Sequence, residues 1–96
     1  MWPGLPADSG LDLLGHEILA EKAAALGRAG AKVETTLARL REHEDDGGAR
    51  ESLLKAAADA VHAYFIQREL CGLRRHDSVI RDLAIPRAVL VRLGAR

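Results

Sequence analysis

Aromatic residues are almost missing from this chain: Trp2, Tyr64 and Phe65 are the only three among 96 residues. A core short of rings must be built from Leu, Val, Ile and Ala, which favours closely packed helices over sheets, where β-branched and aromatic side chains prevail. Cysteine is as scarce. Cys71 stands alone, so no internal disulfide and no zinc-finger spacing is available. No uninterrupted apolar run approaches the ~20 residues that a membrane span needs. Met1-Trp2-Pro3-Gly4-Leu5-Pro6 has neither the basic region nor the apolar stretch of a signal peptide. The expected location is the cytoplasm, with no membrane contact.

Catalytic signatures are missing too. His16-Glu17 opens like the zinc protease motif, but alanine occupies position 20, where the second histidine belongs. His16, His43, His62 and His76 show no spacing that converges on a metal, and each reads as a helix-surface histidine. Ser9, Ser52 and Ser78 sit at or near expected helix starts, where capping explains a hydroxyl without a nucleophile. Gly47-Gly48 lacks the lysine and the strand of a phosphate loop. Cys71 has Arg68, Arg74 and Arg75 nearby, yet a helix C-terminus opposes a thiolate, so a half-buried structural thiol is expected. Neither an enzyme nor a cofactor is expected.

The apolar fraction of 48% and the charged fraction of 29% are those of one globular domain spanning residues 1–96. Net charge is zero but unevenly spread. Residues 1–48 carry nine acids against five bases, and residues 49–96 carry five against nine. Such halves can attract one another within the fold or across a dimer. They can also leave a basic C-terminal surface for phosphate backbones.

Residues 1–8, broken by Pro3, Gly4 and Pro6, read as an extended arm. Ser9 followed by Asp12 offers a capping start for a helix over 9–43. Leu19, Leu26, Val33 and Leu40 recur every seven residues, with Ala23, Ala29, Gly30 and Leu37 beside them, which is a packing seam. Gly30 lies on that seam and suits a close helix approach, whereas Gly27 points elsewhere. The acidic run Glu42–Asp46 before Gly47-Gly48 ends the helix in a solvated turn. A second helix over 49–71 presents Leu54, Ala57, Val61, Tyr64 and Phe65, and Gly72 suits a left-handed stop.

A short loop makes the two helices an antiparallel hairpin. Counted outward from the loop, Cys71 falls opposite about Lys22, so Leu11, Leu14 and Ile18 are left without a partner. Two short helices within 77–94 are expected to fold back over them: one capped by Asp77 or Ser78, the other opened by Pro86 and closed by Gly94. The expected fold is all-α, a long hairpin with a C-terminal helical cap, forming a dimeric helical bundle.

Arg68 is the anomaly. At about 100° per residue it points along Val61 and between Tyr64 and Phe65, on the apolar face. A buried guanidinium needs a neutralising partner. Glu17 and Glu21 are near in register but project away, so Asp77 or Asp82, or a carboxylate of a second chain, would complete a bidentate clamp. The functional option is an anion site of Arg68, Arg74 and Tyr64. Residues 79–90 also have a helix-turn-helix look, with Arg87 and Arg92 as candidate nucleic-acid contacts. Against that stand Ile80 where a small residue is usual and a turn without glycine.

Through Phe65-Ile66-Gln67-Arg68-Glu69, Gly72-Leu73-Arg74, Ile85-Pro86-Arg87 and Leu93-Gly94, the chain resembles a family of short bacterial proteins of unknown function. The resemblance covers residues 64–94 best. It implies a small all-helical protein and assigns no catalytic role to any residue. The expected function is therefore a non-catalytic helical interaction protein, self-associating through the long-helix seam as a homodimer. The alternative is a small nucleic-acid-binding regulator using the basic C-terminal segment.

Overall fold

A computed structural model describes residues 6–44 and 47–94, and within them the side chains of 6–9 and 11 lie outside the description. Every regular element among the described residues is helical: α1 (Pro6–Glu42), α2 (Gly47–Leu70), α3 (Asp77–Asp82) and α4 (Arg87–Leu90). None is long and apolar enough to cross a membrane.

α1 starts three residues before Ser9. Proline suits a first helical position, because the N–H it lacks would have had no partner there. Pro6 to Asp8 are thus helical rather than extended. The rest of the expected arm, residues 1–5, lies outside the described residues, as do Asp45 and Asp46 of the acidic turn.

α1 and α2 hold most of the core. Val33, Leu37 and Leu40 bury against Leu54, Ala57, Ala58, Ala60, Val61 and Phe65. Contacts follow opposite numbering along the two helices: Tyr64 lies over Gly30, and the Cys71 thiol is 4.0 Å from the Lys22 carbonyl. That second contact is the register counted from the loop. Thr36, buried on the same seam, turns its hydroxyl back to the Lys32 and Val33 carbonyls and so leaves no polar atom stranded.

α2 stops at Gly72, whose φ of 87° is left-handed. The Leu73 amide donates to the Arg68 carbonyl and the Gly72 amide to that of Glu69, the paired bonds of a Schellman ending. The same ending closes α3, where Ile85 N–H donates to Ile80 and Ala84 N–H to Arg81, but Ala84 takes the left-handed position at φ 51°. His76, not Asp77 or Ser78, is the residue before α3, and its side chain makes no cap bond. Pro86 precedes α4, and Gly94 follows it at φ 71°.

The tail does not cover the start of α1. It runs back towards the α1–α2 loop, burying Ile85 and Val89 in the core that α1 and α2 share, with Val79, Ile80, Leu83 and Leu93 packed against it. The Arg41 guanidinium donates to the Leu83 and Ala84 carbonyls, and Arg92 reaches Glu51. A groove between two helices wets an aliphatic side chain less than one face of a single helix does, which is why the tail goes there. Leu13, Leu14, Ile18 and Leu19 remain 59, 53, 49 and 64% exposed, and the side chain of Leu11 lies outside the described residues. The molecule is correspondingly long, 68 × 25 × 20 Å.

Candidate functional site

The unusual side chains of the second half meet where α2 ends. The Schellman turn reverses the chain and brings residues 75–76 beside 65–69. His76 stacks flat on Phe65, ring centroids 4.1 Å apart and planes within 1°. Arg68, half-buried, donates from Nε to His76 Nδ1 at 3.1 Å and from Nη2 to the Arg75 carbonyl at 2.7 Å. Its guanidinium carbon is 5.9 Å from the centre of the Tyr64 ring, at the outer limit of cation–π attraction. His76 Nε2 lies 2.9 Å from Glu69 Oε2.

These contacts fix the tautomer. Guanidinium has donors only, so Nδ1 accepts, the ring proton sits on Nε2, and Nε2–H donates to Glu69. Arg68 therefore communicates with a carboxylate through an imidazole, and among the described residues no carboxylate pairs with it directly. The clamp expected from Asp77 or Asp82 is not formed. Both aspartates are exposed on α3. Arg74 is exposed as well, with no hydrogen bond or ion pair among the described residues, so the residues expected to frame an anion site are dispersed. Arg68 and Tyr64 stay together; Arg74, Asp77 and Asp82 do not join them.

His76 and Glu69 were not singled out by sequence reasoning, which read His76 as a surface histidine. The only signal was indirect. A helix stop at Gly72 followed by reversal returns position i+8 to the neighbourhood of i, which is the spacing of Arg68 and His76.

One arginine of the basic tail, Arg92, is taken up by the fold. Arg92 Nε and Nη2 donate to the two Glu51 carboxylate oxygens at 3.0 Å each, and Nη1 donates to the Ala88 carbonyl at 2.7 Å. This fork holds the Glu51 carboxyl below its ordinary range and raises Arg92 in turn. Arg87 is exposed and without such a partner among the described residues. Arg28–Glu21, Lys55–Asp59, His76–Glu69 and Arg92–Glu51 each pair residues of the same half of the chain. The opposite charges of the two halves thus do not hold the fold together through ion pairs among the described residues. No group of three or more His, Cys, Asp or Glu able to hold a metal stands together among them either.

Two further surface features stand out among the described residues. One is the bare start of α1, continuing into a shallow depression between Leu19, Ala23, Leu26, Leu70 and Cys71. The other is a cleft of about 320 Å³ on the α1–α2 groove, lined by alanines of both helices together with Lys32, Thr36, Arg39 and Asp59, and by none of the tail. No curated protein and no solved structure matches the chain. Over residues 4–96 the sequence fits the family of unknown function DUF6665, and the chain belongs to that family.

Proposed function

We propose that this protein is a non-catalytic helical interaction protein of the cytoplasm, an antiparallel hairpin with a C-terminal cap that self-associates through its long helices. One observation carries the reading: Leu13, Leu14, Ile18 and Leu19 are each about half or more exposed on a stretch of α1 that neither α2 nor the tail reaches. Four large aliphatic side chains exposed within seven residues, Leu14 and Ile18 on one face with Leu13 and Leu19 to either side, are the kind of bare surface that marks an association site. A helical stretch with no tertiary partner also has little to hold it helical, since most helix stability in proteins comes from packing. A second chain would supply that packing.

The junction at Arg68 supports a structural role rather than a ligand site. Its donors go to His76 and to a main-chain carbonyl, the stack on Phe65 closes it, and no buried side-chain polar atom among the described residues lacks a partner. The nucleic-acid alternative has less behind it. α4 is one turn long, and one of its two candidate contacts, Arg92, is spent on Glu51.

Sedimentation equilibrium over a dilution series tests the proposal. A reversible dimer is expected, with a dissociation constant in the micromolar range. A chain that stays monomeric at all concentrations sinks it.

A further inference from the structure

We infer that the bare start of α1 docks, in a second copy of this chain, into the α1–α2 cleft that no tail residue lines. The inference rests on the self-association proposed above and names its surface and register.

Shape comes first. The cleft is walled by Ala29 and Thr36 of α1 and by Ala56, Ala60 and Ala63 of α2. Small side chains on both walls leave room for large ones from outside, and the bare stretch supplies Leu14 and Ile18. Ile85 and Val89 of the tail bury in the core that α1 and α2 share, and no tail residue lines this cleft. The tail therefore leaves the cleft open.

Direction comes second. At about 100° per residue, Leu14, Ile18, Ala25, Ala29 and Lys32 fall on one side of α1, displaced from the seam that meets α2, with the buried Thr36 at the border between the two. The docking residues and the cleft therefore face the same way on one helix. That is the condition for a twofold, self-complementary contact, in which each copy gives its start and receives the other's. α1 overlaps its mate along its whole length when the axis passes near its midpoint, beside Ala25. Leu14 then faces the second copy's Thr36, and Ile18 faces its Lys32.

Charge comes third. The first half of α1, residues 6–24, holds Asp8, Asp12, Glu17 and Glu21 against Lys22. The second half, residues 25–42, holds Arg28, Lys32, Arg39 and Arg41 against Glu34 and Glu42. Antiparallel pairing sets the acidic half of each copy along the basic half of the other, whereas parallel pairing would align like with like. Lys32 and Arg39 edge the cleft itself. Asp59, the acid at that edge, is already paired with Lys55. The bare apolar face, the open cleft and the charge order thus select the same antiparallel mate.

Cross-linking separates this register from self-association in general. In a Cys71→Ser background, Ala25→Cys is expected to give a covalent dimer with a short bis-maleimide, because the axis brings the two thiols together. Leu13→Cys is expected not to, since its two copies would lie about 36 Å apart at 1.5 Å per residue. In the otherwise unaltered chain, Ile18→Asp should raise the dimer dissociation constant at least tenfold without loss of the cooperative unfolding transition, as Ile18 lies outside the core. A dimer that cross-links through Leu13 but not Ala25, or that survives Ile18→Asp unchanged, overturns this register and leaves self-association standing. A monomer throughout overturns both.

Discussion

At Arg68 the protein answers a half-buried cation with an imidazole acceptor. His76 accepts from the guanidinium, passes its own N–H to Glu69 and covers Phe65 with its face, so three interactions converge on one imidazole. His76→Ala removes the stack and leaves the Arg68 Nε–H without its acceptor. The expected loss is about 1–3 kcal/mol from these two effects, read from urea midpoints at constant slope. Imidazole nitrogen shifts in the unmodified protein should show the Nε2–H form at neutral pH. The Glu51–Arg92 fork makes a second prediction, with its sign set by Glu51. A carboxyl lowered from 4.5 by its partner contributes stability that is complete above that value and is lost as pH falls through the lowered one. Glu51→Gln should therefore unfold more easily than the parent at pH 6, and the difference should shrink on acidification below pH 4. A constant difference across that window would rule out the fork as its source.

Among the elements, the ends of the helices are most open to test. α2 and α3 close with the same hydrogen bonds, yet α2 uses Gly72 and α3 uses Ala84 in the left-handed position. An L-residue with a Cβ carries about 1 kcal/mol of strain there. Ala84→Gly should therefore raise the thermal midpoint, and Gly72→Ala should lower it by a similar amount. Within α1 the glycines separate by surroundings. A Cβ on Gly30 would meet the Tyr64 ring at 3.4 Å, while one on Gly27 would meet nothing within 4 Å. Gly27→Ala should thus give the full propensity gain of about 1 kcal/mol; a smaller gain is expected from Gly30→Ala, because the ring must give way slightly. Close approach explains Gly30. No feature of the structure explains Gly27, which is why its replacement is expected to help.

For the whole molecule, the uneven distribution of the core is decisive. Val33, Leu37 and Leu40 on α1 are fully covered, whereas Leu13, Leu14, Ile18 and Leu19 are not, so α1 is stable at one end and dependent at the other. Amide exchange over residues 12–22 should be close to unprotected in dilute solution and become protected as concentration rises, while residues 33–40 stay protected at both. Protection at 12–22 that is independent of concentration would mean that the stretch needs no second chain.

Helix periodicity, the stop at Gly72, the break at Pro86 and the pairing of Cys71 with Lys22 could all be read from the amino acids. Each depends on residues near in sequence or on counting outward from one short loop. The path of the tail could not be read in that way. Its apolar residues fit two destinations, the bare start of α1 or the groove near the loop, and the choice rests on which surface excludes more water. That surface is built by α1 and α2 together and exists only once they have packed. The same holds at Arg68: its position on an apolar face was legible, but its partner was set by where the reversal after Gly72 carries His76. Sequence determined that a cation on an apolar face needed an answer. The tertiary structure decided that a histidine gives it, because only folding brings that ring onto Phe65.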